Sequence, residues 1–206
     1  MYGNSSMRVL IACEFSGVVR EAFRKRGHDA YSCDLLPSLD NSKYHILGDV
    51  ISVLKHGHKE PFNYKWDLMI AHPPCTHLAV SGARWFKDKE KEQREALEFV
   101  QMLLNAPIDK IALENPVSII SSNIRKPDQI VQPWMFGDPF TKTTCLWLKN
   151  LPKLYPTNVV DKGERHITKS GKSLPKWYNL PPSEDRAKIR STTFPGFAKA
   201  MADQWG

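Results

Sequence analysis

The chain has 206 residues, enough for one well-buried core with an appendage and too few for two full domains. Its 41% hydrophobic and 25% charged residues argue for an ordinary soluble globular protein and against disorder, and no apolar run approaches the ~20 residues needed to span a bilayer. A formal charge of +7 suits a polyanionic partner such as nucleic acid. The N-terminus lacks a signal-peptide pattern, and four scattered cysteines read as reduced thiols, so a cytoplasmic location is expected.

Residues 1–6 are polar, precede a second methionine at Met7, and are set aside as a leader or frayed end. Arg8 to Cys13 is a short continuous apolar run, and from Gly17 the chain keeps Val18, Val19, Ala22 and Phe23 on one face before Gly27. That pattern reads as strand, turn, helix. His28 to Asp34 and Trp66 to Ala71 are further strands, the latter apolar enough to be buried on both faces of a parallel sheet. Lys87 to Arg94 is densely charged, after which Ala96, Leu97, Phe99, Val100, Leu103 and Leu104 fall at helical spacing. Asp109 to Glu114 is the next strand. The alternation predicts an α/β fold with a doubly wound, mostly parallel sheet.

Trp134 to Thr144 reads as a β-hairpin packed by Trp134 and Phe136. Beyond Asn150, Pro152, Pro156, Pro175, Pro181 and Pro182 interrupt a basic segment, and Phe194 to Trp205 forms a last helix. The expected division is a core over residues 7–150, a loop-rich basic appendage over 151–190, and a C-terminal helix over 191–206 that returns to the core.

Ligands of such sheets sit at the carboxyl ends of the strands, where the loops after Cys13, Asp34, Ala71 and Glu114 converge. Cys75 follows a strand and two prolines, Pro73 and Pro74, whose fixed φ angles stiffen the loop as a nucleophile requires. Glu114 stands at the end of another strand, where a protonated carboxyl could stabilise developing negative charge. Taken singly, a cysteine is more often a structural thiol and a glutamate a solvated charge. Their placement at two strand ends favours a catalytic pair.

Asp67-Leu68-Met69-Ile70-Ala71-His72-Pro73-Pro74-Cys75, with Ser81-Gly82 downstream, resembles the strand and Pro-Pro-Cys loop of the DNA cytosine-5 methyltransferases. Ala112-Leu113-Glu114-Asn115-Pro116 resembles that family's Glu-Asn-Val segment, with proline in the last place. The resemblance implies a Rossmann-like core that binds S-adenosylmethionine and acts on DNA with a flipped or unpaired cytosine. It implies Cys75 as the nucleophile that adds to carbon 6, Glu114 as the acid at nitrogen 3, and methyl transfer to carbon 5. Glu14-Phe15-Ser16-Gly17 resembles the family's Phe-x-Gly turn, implying Phe15, Ser16 and Gly17 as cofactor contacts, with the glycine letting the backbone approach the ligand. Val18 and Val19 replace the further glycines of that turn. By the same resemblance Asp34 and Leu35 meet the ribose, Asp49 and Val50 the adenine, and Pro73 the cofactor, while Pro74, Ser81, Asn115 and Lys142 meet the substrate. Phe194-Pro195-Gly196-Phe197 resembles the segment that closes over the methionine end.

The departures narrow the reading. His72 stands where the family has glycine, and His72, Cys75 and His77 are too cramped for a zinc site. A zinc deaminase would need a cysteine where Leu78 stands. Amino-methylating enzymes place an aromatic residue after Pro-Pro, and Cys75 points instead to carbon. Gly171-Lys172-Ser173 lacks the upstream glycine of a phosphate loop and reads as a basic turn. The family's Gln-x-Arg-x-Arg strand is absent, leaving Lys142 as the cation for the cytosine carbonyl. A full recognition domain is also missing. Residues 151–190 offer only basic residues such as Lys153, Lys162, Arg165, Lys169 and Lys172 with Tyr155, Trp177 and Tyr178 interleaved, which suits phosphate contact and stacking with little sequence readout. RNA or a free cytosine nucleotide as substrate, and a catalytically silent cofactor- or DNA-binding module, stay open.

Overall fold

The computed structural model describes residues 5–56, 65–80, 89–175, 183 and 185–206. Ser81, Gly82, Lys87, Trp177 and Tyr178 therefore lie outside the described residues. A seven-stranded sheet runs in the order β3-β2-β1-β4-β5-β7-β6. β1 (Arg8–Ala12), β2 (Asp29–Asp34), β3 (His45–Leu47), β4 (Leu68–Ala71) and β5 (Lys110–Pro116) run parallel to one another. β6 (Gln129–Val131) and β7 (Thr144–Lys149) complete it, with β7 antiparallel to both β5 and β6. The result is an α/β fold on a mostly parallel, mixed sheet of Rossmann-like layout.

The sequence dictates the two-sided burial. Val9 and Ile11 of β1 and Leu68 and Ile70 of β4 join one apolar cluster, while Leu10, Ala12, Met69 and Ala71 join another, as the two-residue period of a strand requires. All eight have no exposed surface. The first face is covered by α1 (Val18–Lys25) through Val19 and Phe23, and by α6 (Pro195–Trp205) through Ala198, Met201 and Trp205. The second is covered by α2 (Val50–His56) through Val50, by α3 (Glu90–Leu104) through Val100 and Leu103, and by the short α4 (Ile120–Asn123) through Ile120. β2 and β4 flank β1 on opposite sides, so the connections leaving β1 and β4 diverge and open a crevice at the carboxyl edge.

Two expectations need correction. β3 and α2 are absent from the sequence reading, because three residues and seven residues are too short to show a period. The expected hairpin over Trp134 to Thr144 is instead the connection between β6 and β7. It opens with a 3-10 turn at Pro133–Met135, since Pro133 has no N–H to give a ladder and fixes its own φ. Phe136 stacks on Phe197 at 5.4 Å, and Lys162 lies 5.1 Å from the centre of the Trp134 ring.

After β7 the chain stays tied to the core. Leu154 is buried, and Gln129 both accepts from its N–H and donates to its carbonyl, at 2.8 Å each. The indole of Trp205 donates to the Pro152 carbonyl at 2.9 Å. Farther on, β8 (Arg165–Ile167) and β9 (Ser173–Pro175) pair as a separate two-stranded hairpin. Gly171-Lys172 lies in its turn, with Gly171 at φ +79. α5 (Asp185–Ser191) carries Lys188 and Arg190 in its last turn.

Candidate functional site

A pocket of about 380 Å³ opens at the carboxyl edge, within the roughly 300–1,000 Å³ typical of small-molecule sites. It brings together Asp34, Leu35, Asp49, Val50 and Pro74 from the connections after β2, β3 and β4, and it adds Cys13, Cys33 and His77. Glu92, Glu95, Ala96 and Phe99 form its outer wall. These four went unread in the sequence, although their spacing of three, four and seven places them on one face of α3. Both aspartates also serve the backbone: Asp34 accepts from the N–H of Leu36 at 2.9 Å, and Asp49 caps α2 by accepting from Ile51 at 3.1 Å. Burial and the nearby charges of Asp34 and Asp49 push the Cys33 thiol up to about 12 and hold Cys13 higher still. Neither is a reactive thiol at neutral pH.

Phe15, Ser16, Gly17 and Pro73 do not line this pocket. Gly17 does have the left-handed φ of +77 that favours glycine, but a Cβ there would collide with the Arg20 guanidinium. The absence of a Cβ at Gly17 thus makes room for Arg20. Arg20 is wholly buried, donates to Ser32 at 2.8 Å and pairs with Glu21 and Asp40, thereby holding the connection that follows Asp34 and Leu35. Ser16 and Gly17 line a different, open groove with Val18, Pro195 and Lys199. The Phe15 carbonyl accepts from Leu39, and Pro73 is buried. Between them Glu14, unremarked in the sequence, is buried and caps α1 by accepting from Val19 at 2.7 Å and Arg20 at 3.2 Å.

Cys75 is exposed, and its carbonyl closes the following turn by accepting from Leu78 and Ala79. Desolvation and then the charge of Glu114 push its thiol above the ordinary cysteine value, with Lys142 opposing. Ala71 pairs with Leu113 in the β4/β5 register, so the next residues of the two strands, His72 and Glu114, come side by side. Nδ1 of His72 stands 3.2 Å from Oε2 of Glu114. Burial alone would raise the Glu114 carboxyl, but the hydrogen bond and charge of His72, with Lys142 behind them, outweigh it and bring the group below the usual carboxylate value. This direction runs against the expectation of a protonated Glu114, because the His72 imidazole favours the carboxylate.

Asn115, expected to meet the substrate, is 1% exposed and donates from Nδ2 to the Pro73 carbonyl at 3.0 Å. Its contact is with the loop. Glu114, Gln132, Lys142, Thr144 and Phe194 surround a closed cavity of about 10 Å³, room for about one water. Lys142 donates to the Arg190 carbonyl at 2.8 Å and lies 5.9 Å from the centre of the Phe194 ring, which helps to keep the cavity shut. Among the described residues no helix is long and apolar enough to cross a membrane.

No family model and no curated protein matches the chain. Among solved structures, a protein encoded within an E. coli prophage and put forward as a DNA modification methyltransferase is similar to it, at 17% identity and a TM-score of 0.47. The similarity covers 76% of this chain and 52% of the other, so the chain spans about half the length of that neighbour.

Proposed function

We propose that the chain is an S-adenosylmethionine-dependent methyltransferase that modifies carbon 5 of cytosine in DNA, with Cys75 as nucleophile. The observation that carries this reading is the division of labour within one loop. Pro74 lines the 380 Å³ pocket, and Cys75, the next residue, lies close enough to Glu114 on the neighbouring strand for that charge to shift its thiol. One short rigid segment thus separates a small-molecule pocket from a thiol and a carboxylate.

In this reading Asp34 and Asp49 take the hydroxyl and amino groups of the cofactor, against the apolar wall of Val50 and Phe99. When bound, the cofactor supplies an electrophilic methyl group. The Cys75 thiolate bonds to carbon 6, Glu114 engages nitrogen 3 and the exocyclic amine, and carbon 5 becomes nucleophilic. A water molecule then takes the carbon 5 proton, the C–H pair forms the carbon 5–carbon 6 double bond, and the sulfur–carbon bond breaks to release Cys75 as the thiolate. The base must leave the duplex stack or be unpaired to reach it. The core over 7–150 holds these groups, and the basic segment over 151–190 supplies phosphate contact.

The test is incubation with tritiated cofactor and DNA containing 5-fluorocytosine, which blocks the last elimination. A covalent protein–DNA complex that Cys75→Ser abolishes is the expected result, and its absence counts against the nucleophile. Unlabelled RNA and cytidine nucleotides as competitors decide the substrate class. The one-water cavity beside Glu114 favours a second reading, a module that binds cofactor or DNA without turnover, which binding titrations with no product would reveal.

A further inference from the structure

His72 follows directly on β4, and its side chain is 9% exposed. Nδ1 meets Glu114, and Nε2 is buried with no hydrogen-bond partner among the described residues. Buried polar atoms are nearly always partnered, so the orphan Nε2, a state shared by His77 Nδ1 and His166 Nδ1, leaves the Glu114 contact as the one that fixes this ring. Here the one partner is the site carboxylate, 42 residues away. Glu14 also faces this imidazole closely enough for the His72 charge to act on its carboxyl, from the connection after β1. Its oxygens are already engaged by the Val19 and Arg20 amides, so it is not free to compete for Nδ1. Lys142 also acts on Glu114, from the connection before β7, and the Cys75 and Cys145 thiols both feel the Glu114 charge.

We propose that His72 is a positioning residue that orients Glu114 and stores the proton Glu114 passes to the target ring; the proposal rests on the cytosine reading above. With His72 Nδ1 3.2 Å from Oε2 and favouring the carboxylate form, the proton that Glu114 gives is shared by the pair. As sulfur bonds to carbon 6, the carbon 5–carbon 6 π pair moves to the carbon 5–carbon 4 bond, and the carbon 4–nitrogen 3 π pair takes up a proton at nitrogen 3. That proton leaves Nδ1 of the imidazolium for Oε2 of Glu114, and the carboxyl turns to deliver it. A neutral imidazole and a carboxylate remain. On elimination nitrogen 3 returns the proton along the same route, and the pair is restored with no external acid.

The experiment uses full-length protein carrying His72→Gln or His72→Ala, with unmodified cytosine DNA. Gln can donate a hydrogen bond to Glu114 but cannot carry a transferable proton. Both variants are expected to keep KM for DNA and cofactor while kcat falls about 10- to 100-fold. Exogenous imidazole is expected to restore part of the His72→Ala rate and none of the His72→Gln rate. The wild-type kcat should rise with pH as Cys75 ionises and then fall at higher pH, and His72→Gln should retain only the rising limb. A His72→Gln enzyme with wild-type kcat and an unchanged falling limb overturns the role of His72. If His72→Ala fails to fold, His72→Gln decides alone. A wild-type protein without turnover, by contrast, overturns the methyltransferase reading itself, so the two failures are distinguishable.

Discussion

Asn115 donates to the carbonyl of Pro73 at 3.0 Å, tying the end of β5 to the loop that carries Cys75. The bond is buried, so its loss strands the carbonyl without water. Asn115→Ala is expected to cost about 1–3 kcal/mol in urea unfolding. It should also change the alkylation rate of Cys75, because the loop loses its anchor. An unchanged Cys75 rate would mean that Pro73 and Pro74 hold the loop unaided.

Gly17→Ala separates two accounts of that glycine. A Cβ meets both an unfavourable left-handed φ and the Arg20 guanidinium. The expected loss of stability exceeds the about 1–2 kcal/mol that the backbone conformation costs by itself. Weaker cofactor binding at full stability would restore the ligand-approach account.

Cys75 should be the one thiol that reacts quickly in the folded protein, since Cys33 and Cys145 are buried and the Cys13 thiol is pushed well above its ordinary value by burial and nearby acids. Its alkylation should rise with pH, with a midpoint above that of an ordinary cysteine. Glu114→Gln removes a negative charge that disfavours the thiolate, so the midpoint should fall. Lys142→Met removes a favourable positive charge, so it should rise. Opposite shifts would sink the assignment of these two neighbours.

Lys142 spends its ammonium on the Arg190 carbonyl, a charge-assisted bond of about 1.5–3 kcal/mol. Lys142→Met should therefore speed amide hydrogen exchange across residues 190–194 by about tenfold or more. Exchange at the wild-type rate would show that the Phe140–Phe194 stack, at 5.1 Å between ring centres, holds this segment by itself.

The elements legible in the sequence are those whose burial is continuous or periodic. β1, β4 and β5 announce themselves as apolar runs, and α1, α3 and α6 as single apolar faces. β3 and β6 have three residues each and take their identity from the strands beside them. The pocket-lining residues Asp34 and Pro74 follow from position at strand ends, and Asp49 follows from the family resemblance. His72 and Glu14 do not, because their significance arises only once the β4/β5 register sets His72 beside Glu114. The downward push on the Glu114 carboxyl was illegible for the same reason: it comes from a neighbour 42 residues away.

The reversed direction of β7 decides where insertions could be accommodated. Because β7 runs against β5, Thr144 at its start lies opposite Pro116 at the carboxyl edge, and Lys149 at its end lies opposite Ile111. The residues just before β7 are thereby delivered to Glu114, while the chain leaves β7 at the opposite edge, where Asn150 donates to the Asp109 carbonyl. Lengthening the connection before Thr144 would shift Lys142 relative to the carboxylate. Lengthening the chain beyond Asn150 enters at the far edge and would reach Lys142 through the Arg190 carbonyl that holds its ammonium.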